Sequence, residues 1–489
     1  MPQEHKSLDP QNWDSLRDLG HQMLDDMFEY LQTRHDDIVW QPIPQDIQNH
    51  FTSAIPENGE DEADVYQEFT EKIQPYMLGN THPRFWGWVV GTGTPLAMLA
   101  EMIAGGINLQ MGGGDSSGVH VEMQVLNWCK QMFDYPETAS GLLVSGASMA
   151  NLVGLTVARN VKAPFDVRKE GLQQSQPRMI AYASEEVHSC HQKNMEVLGL
   201  GHDSLRFIPV NDEFQMDIQA LEKAIADDKA AGNLPFCIIG SAGTVRTGAF
   251  DDLEALVAIR DRENMWLHID GAFGAFAKFV PDLAHLVEPM KKADSMAFDM
   301  HKWMSLPFEV GCVLVQNQQA HYETFTLTPD YLDHGTRGAG AAPIWLSDYG
   351  LQLSRNFRAL KVWMSLKSHG LNHYKEVIQQ NIQQTRYFAN LVDEHPQLER
   401  TASVPLNIVC FRFVSDELSD EQLNTLNQEL LLRLQESGVA IVSNSTLQGK
   451  YSLRMAHVNH RSLDSDFDLL VKTVVELGQT LVQEIKQTV

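Results

Sequence analysis

Met265-Trp266-Leu267-His268-Ile269-Asp270, followed by Gly271-Ala272-Phe273-Gly274, is short, apolar for most of its length and ends on a carboxylate. It predicts a strand covered on both faces, opening onto residues small enough to let something flat approach the backbone. Runs of the same texture recur at residues 142–144, 179–183, 236–240, 295–298 and 311–315, each followed by a loop and then helical spacing. Between two of them, Ile218, Leu221 and Ile225 mark one face of a helix, with Asp217 as its N-cap and Gly232 closing it. Strand–helix alternation of this kind predicts an α/β fold with a mainly parallel sheet flanked by helices.

Outward from that centre the pattern changes. Residues 1 to about 80 are amphipathic and helical, with Leu19, Met23, Met27 and Leu31 at four-residue spacing and a Pro- and Glu-rich loop at 42–61. Helical arms of this kind pack against something, and a second subunit is one candidate. Toward the other end, residues 407–413, 439–442 and 451–455 are strand-like, and Leu470, Val474, Leu477, Leu481 and Ile485 line a terminal helix. The expected division is an N-terminal helical segment (1–95), a large α/β domain (96–370) and a small C-terminal α+β domain (371–489).

The 489 residues carry 37 Lys and Arg against 64 Asp and Glu, a net charge of −27. A surface so acidic repels polyphosphate and anionic membranes, so a phosphate-bearing ligand has to be held by a local site. Cys129, Cys190, Cys237, Cys312 and Cys410 are widely spread and form no C-x-x-C pair, which suits a reducing compartment. The polar N-terminus has no signal core, and the apolar stretch at 85–100 is broken by Gly87, Gly91, Gly93 and Pro95. A cytoplasmic protein with neither a membrane nor a nucleic-acid partner is expected.

In open α/β sheets ligands gather at the carboxyl ends of the strands. There the sequence places Ser145-Gly146-Ala147-Ser148, His188, Thr244, Asp270 and His301-Lys302. The first of these reads as a phosphate cradle at a helix N-terminus, as an incomplete nucleophile elbow with Ser148, or as a plain turn. Asp270 could cap a helix, bind a metal with His268, hold an imidazole or pair with a cationic ring. Lys302, between a histidine and a tryptophan just past a buried strand, is a candidate amine nucleophile, because apolar company disfavours its charged form. His188 and His191 lack a third metal ligand at a recognised spacing, and no metal is expected. No dinucleotide, P-loop or H-E-x-x-H motif is present. An anion cradle, a Schiff-base lysine, a carboxylate for a ring nitrogen and an imidazole to stack on a ring together match pyridoxal 5'-phosphate.

On these residues the chain resembles the group II pyridoxal-phosphate-dependent amino acid decarboxylases, which include the aromatic-L-amino-acid, histidine, glutamate and cysteine-sulfinate decarboxylases. Carrying the resemblance are His82-Pro83-Arg84-Phe85, the segment 145–151, His188-Ser189, Gly243-Thr244, His268-Ile269-Asp270-Gly271-Ala272, Asp299-Met300-His301-Lys302-Trp303 and Arg355-Asn356-Phe357-Arg358-Ala359-Leu360-Lys361. The resemblance implies fold type I, a homodimer, and decarboxylation of an L-amino acid to its amine and CO2 through external aldimine and quinonoid intermediates. It also implies that Lys302 carries the cofactor, Asp270 pairs with the pyridine nitrogen and His188 stacks on the ring. Ala147 and Ser148 are to hold the phosphate, helped by Asp299 and His301, and Thr244 is to line the pocket. Arg355 fits a structural ion pair at least as well as a substrate contact.

Thr328-Pro329-Asp330-Tyr331-Leu332-Asp333-His334, with the glycine-rich residues after it, is similar to the family's catalytic loop. Tyr331 stands where relatives donate a proton after CO2 loss, whereas relatives with Phe there tend toward oxidative aldehyde formation. Departures at Val245, at Val89-Val90-Gly91 and around Asn108 and Gln110 alter the pocket wall and leave an aromatic, polar or acidic side chain open. The rival readings are an aldehyde synthase on the same cofactor, a serine hydrolase using Ser148, and a non-catalytic cofactor-binding scaffold.

Overall fold

The protein is described here by a computed structural model that covers residues 6–172, 177–327 and 337–488. Among these residues seven strands form the larger sheet: β1 (Ser140–Val144), β2 (Met179–Ser184), β3 (Leu205–Ile208), β4 (Leu234–Ser241), β5 (Trp266–Asp270), β6 (Ser295–Asp299) and β7 (Gly311–Val315). Their order is β1-β7-β6-β5-β4-β2-β3. Neighbours from β3 to β6 run parallel, and β7 runs antiparallel to both β1 and β6. Every residue of β1, β2, β5, β6 and β7 is buried, as the uniformly apolar runs require.

The helix Ala147–Lys162 crosses one face of this sheet and is buried without a break from Ala150 to Ala158. It comes so close to β5 that a Cβ on Gly154 would sit 2.7 Å from His268 Cε1, so only glycine fits that turn. The predicted helix around Leu221 is Ile218–Ala230. Asp217 caps it by accepting from the Gln219 and Ala220 amides, and Leu221 and Ile225 face the core.

A second sheet, β10-β11-β9-β8, is antiparallel throughout: β8 (Leu398–Arg400), β9 (Ile408–Phe413), β10 (Ser443–Leu447) and β11 (Lys450–Ala456). The long helix Arg358–Glu394, kinked at Gly370 where φ is 74°, reaches from the first sheet to the second. Against the second sheet lie the helices Asp420–Glu436 and Asp464–Thr488, around an aromatic core in which Trp86 stacks on Phe467 at 4.9 Å. Leu470, Val474 and Leu481 of the terminal helix are buried, following the sequence periodicity.

Three expectations need correction. The edge strand β3 was not foreseen, because its buried and exposed residues are mixed and no uniform apolar run marks it. Residues 439–442 are not a strand. Ile441 makes one isolated bridge to Phe85, and the ladder starts at Ser443, where buried Ser443, Ser445 and Leu447 alternate with exposed Asn444 and Thr446. Finally, the loop expected at 42–61 contains the short helix Gln45–His50. The arm helix Trp13–Thr33, capped by Asn12, forms as expected but buries no residue fully. No helix among the described residues is long and apolar enough to cross a membrane.

Arg355 is the structural ion pair considered above. Its Nη1 and Nη2 donate to both Glu122 carboxylate oxygens (3.2 and 2.5 Å) and to the Met111 and Leu143 carbonyls (2.9 and 2.7 Å), with both side chains buried. Arg355→Met leaves the Glu122 charge buried and alone. It should destabilise the cofactor-free protein by about 3 kcal/mol or more, read from the urea unfolding midpoint.

Candidate active site

The carboxyl ends of β1, β2, β4, β5 and β6 converge on one cavity of about 510 Å³. Ala147, Ser148, His188 and Thr244 line it, and so do Asp270, Asp299, His301 and Lys302, so the residues singled out from sequence meet in one place. Tyr331 and the residues 328–336 around it lie outside the described residues.

At the start of helix Ala147–Lys162 the N-cap is Gly146, which has no side chain to cap it. The Ala147 and Ser148 amides have no acceptor among the described residues, and the helix dipole adds positive potential at the same point. The backbone is packed tightly here: a Cβ on Gly311 would lie 2.6 Å from Gly146 Cα. The Ser148 hydroxyl lies within reach of the Cys190 thiol, and no imidazole bonds it among the described residues, so the elbow reading lacks its base.

Lys302 is not in the apolar company expected of it. Its Nζ lies 3.1 Å from Asp299 Oδ2, and His301 Nε2 lies 3.6 Å from the same oxygen. The reason is local: β6 ends on Asp299, and the turn after it folds the lysine back over the carboxylate three residues earlier. Asp299 Oδ1 is buried without a hydrogen-bond partner among the described residues. Burial holds the His301 imidazole below its ordinary range, against the pull of Asp299.

Asp270 is buried at the cavity floor. Its Oδ2 accepts from His191 Nε2 (2.8 Å) and Asn151 Nδ2 (3.1 Å), and its Oδ1 accepts from the Ala272 amide (3.1 Å). Burial alone would raise its pKa. The His191 hydrogen bond and charge, with Lys302 and the Ala272 amide, outweigh it and hold the carboxyl well below the usual range. His188 Nδ1 accepts from the Cys190 amide at 3.1 Å, which leaves the proton on Nε2. Burial depresses the His188 pKa, and Asp270 opposes the shift. Thr244 lines the cavity, but its Oγ1 accepts from the Ala249 amide (3.1 Å) and contacts Thr247 Oγ1 (3.1 Å), closing its own turn.

Several site residues were missed. His191 was set aside for want of a third metal ligand, yet one donor atom each of Cys190, His191 and Asp270 lie within 4.8 Å of one another. Spacing could not reveal this, since Asp270 comes from another strand. Asn108 and Gln110, considered for side-chain recognition, do not line this cavity. Asn108 ends the helix Pro95–Ile107 in a left-handed conformation, and Gln110 bonds the Gly112 amide. What does line it is Arg246, paired with buried Glu186 (2.8 Å), and Arg454 from β11. Arg454 donates to the carbonyls of Trp88 (2.9 Å), Val245 (2.5 Å) and Arg246 (3.1 Å) and to Ser443 Oγ (3.0 Å). No carboxylate pairs with it among the described residues, and burial lowers its pKa to about 10.

Residues 44–414 match the pyridoxal-dependent decarboxylase conserved domain. The chain belongs to the pyridoxal-dependent decarboxylase family. It is 31% identical over 471 residues to the aromatic-L-amino-acid decarboxylase of Bacillus atrophaeus, covering 95% of this chain and 96% of that one. It is 27% identical over 462 residues to the phenylacetaldehyde synthase of Arabidopsis thaliana, covering 92% and 93%. Its fold superposes on that of Oryza sativa TDC, crystallised with PLP and tryptamine, with a TM-score of 0.90 at 22% identity, covering 97% and 100%. This decarboxylase therefore has the type I fold and is a carboxy-lyase that depends on pyridoxal phosphate. The residues present fit that cofactor: uncapped helix amides for the phosphate, an amine beside a carboxylate with a free buried oxygen, and an ionised carboxylate at the floor for a ring nitrogen.

The depressed imidazoles give the decarboxylase a signed pH dependence. Unfolded histidines take up protons near pH 6.5, whereas folded His188, His268 and His301 resist them, so stability falls as the pH drops through that value. His268, held at about 3 by burial, accounts by itself for about 2 kcal/mol lost between pH 7 and pH 5. Denaturant midpoints of the cofactor-free protein at pH 7, 6 and 5 should fall in that order.

Proposed function

We propose that this chain decarboxylates an L-amino acid to its amine and CO2, as a homodimer, with Lys302 carrying the cofactor. The observation that carries the reading is Asp270, its carboxylate held by three donors at the floor of the cavity that also holds Lys302 and the uncapped helix N-terminus. Pyridoxal phosphate, when bound, supplies an aldehyde for the lysine amine and a ring that accepts electrons from the bond being broken. Asp270 keeps a proton on the ring nitrogen, without which the ring is a poorer acceptor. The Ala147 and Ser148 amides, with His301, hold the phosphate, and Asp299 orients Lys302 and takes part of its charge. His188, with its proton fixed on Nε2, covers the ring face, and Thr244 shapes the pocket wall. Tyr331 returns the proton to carbon after CO2 leaves.

The substrate carboxylate needs a cation, and among the described residues lining the cavity Arg454 is the one whose charge is not already spent on a carboxylate. Four of its N–H groups rest on neutral acceptors, which fix the guanidinium without cancelling its charge. In support of two chains per particle, Trp13 and Met23 on the arm helix and Met102, Ile103 and Ile107 on the helix Pro95–Ile107 leave apolar surface exposed.

A second reading, oxidative formation of an aldehyde, draws support from the synthase relative of Arabidopsis thaliana. A panel of L-amino acids, assayed for CO2 and product mass with added pyridoxal phosphate, separates the two. The amine with equal CO2 is the expected outcome and should vanish in Lys302→Ala. Aldehyde with hydrogen peroxide would transfer the chain to the second reading, and full activity of Lys302→Ala would remove both. Arg454→Met should raise the KM of the preferred amino acid by about tenfold or more, with kcat less affected, as read from initial rates.

A further inference from the structure

Behind Asp270 lies a file of polar side chains on which the reaction as proposed makes no call. Asn151, His268 and Ser295 have no exposed surface, and Trp266 is almost wholly buried. Asn151 Nδ2 reaches Asp270 Oδ2 (3.1 Å) and Cys190 Sγ (3.6 Å). Asn151 Oδ1 meets His268 Nε2 (2.8 Å), His268 Nδ1 meets Ser295 Oγ (2.7 Å), and Ser295 Oγ meets Trp266 Nε1 (2.8 Å).

The direction of each bond in this file is determined from both ends. Asp270 is ionised and only accepts, so Asn151 must turn its NH2 toward it and its oxygen toward His268. That oxygen requires the His268 proton to be on Nε2, leaving Nδ1 bare in a neutral ring. Nδ1 must then accept from the Ser295 hydroxyl. At the far end the indole N–H of Trp266 can only donate, and it fills a lone pair of Ser295 Oγ, which leaves the hydroxyl proton to His268. The two derivations agree at every atom, and a reversed Asn151 would set its oxygen against the carboxylate. Gly154 gives the file its room, since a Cβ there would lie 2.7 Å from His268 Cε1 and 3.2 Å from Ser295 Oγ.

We propose that Asn151 and His268 are positioning residues: a one-way chain of donors, Trp266 to Ser295 to His268 to Asn151, fixes the Asp270 carboxylate so that Oδ1 faces the ring nitrogen of the cofactor and keeps it protonated. This rests on Asp270 having the role proposed above. The chain works together with His191, which donates to the same Oδ2, while the Ala272 amide takes one lone pair of Oδ1 and leaves the other for the ring. The other titratable groups around Asp270 are His188, Cys190 and Lys302. The Cys190 thiol, pushed up to about 12 by burial, stays protonated. With His268 gone, Asn151 Oδ1 loses its donor and the amide is held only from its Nδ2 side, by Asp270 and Cys190, so its grip on Oδ2 slackens.

The test uses the full chain loaded with pyridoxal phosphate labelled with 15N in the ring. The solid-state 15N resonance is followed from pH 6 to pH 9, alongside cofactor affinity by fluorescence titration of the stripped protein and its melting temperature. In His268→Leu the ring resonance should move toward the unprotonated position and its pH profile should shift, with cofactor affinity about tenfold weaker. His268→Gln, whose amide can accept from Ser295 and donate to Asn151, should return both toward the parent. A ring resonance and pH profile in folded His268→Leu that match the parent would overturn the proposal. Should that variant not fold, Ser295→Ala decides: a displaced resonance supports the chain, and an unchanged one overturns it. Failure of the underlying reading looks different, since the ring resonance of the unmodified chain would then already sit at the unprotonated position.

Discussion

A carboxylate at the end of β5 must remain charged where water does not hydrate it, and much of the site is arranged around that requirement. Burial by itself would neutralise Asp270, so the fold brings donors to it from separate elements. His191 arrives on the first turn of the helix Cys190–Val197, Asn151 on the helix Ala147–Lys162, and the Ala272 amide from the turn after β5. For Asn151 to arrive, its helix must lie directly on the strand, and Gly154 permits that closeness. Packing and electrostatics are therefore one constraint here: the residue that allows the close approach also allows the charge.

The site inverts the electrostatics of the whole molecule. The chain carries a net charge of −27, yet the cavity presents the free amides of a helix N-terminus, Lys302, and the guanidinium of Arg454 held by neutral acceptors. An acidic surface does little to attract anions from a distance, so affinity for a phosphate or a carboxylate has to come from fixed dipoles and buried cations at short range. Glu186 and Asp299 take up the charge of Arg246 and Lys302 respectively, which limits how much positive charge the pocket leaves unbalanced.

What could be read in the sequence, and what could not, follows from the same physics. Strands buried on both faces announced themselves as apolar runs, which is why β1, β2, β4, β5, β6 and β7 were anticipated. The edge strand β3 and the serine-bearing β10 obey no such pattern and were missed. Asp270, His188 and Lys302 stood out because a polar residue at the carboxyl end of a buried strand needs a reason to be there. Their partners were not legible: Arg454 comes from the second sheet, and His191 acquires meaning only when another strand lies beside it. Thr244 shows the converse, a residue whose place was foreseen but whose hydroxyl is engaged by its own turn.

The lysine sits on an unusual kind of connection for this sheet. Strands β2, β4, β5 and β6 are parallel and are linked through helical segments, whereas β6 turns back directly into its antiparallel neighbour β7, with Asp299 paired to Gly311 across the ladder. The segment between them is therefore clamped at both feet by hydrogen-bonded strands. It is pinned again at its crown by buried Trp303, whose indole donates to Asn381 at 3.1 Å, and by buried Met304 and Leu306. Such a mount behaves as a stiff bracket rather than a hinge. Travel of the Lys302 amine away from Asp299 therefore has to come from rotation about its own four methylenes, while the backbone beneath it stays in register with the helix N-terminus across the Gly146–Gly311 contact.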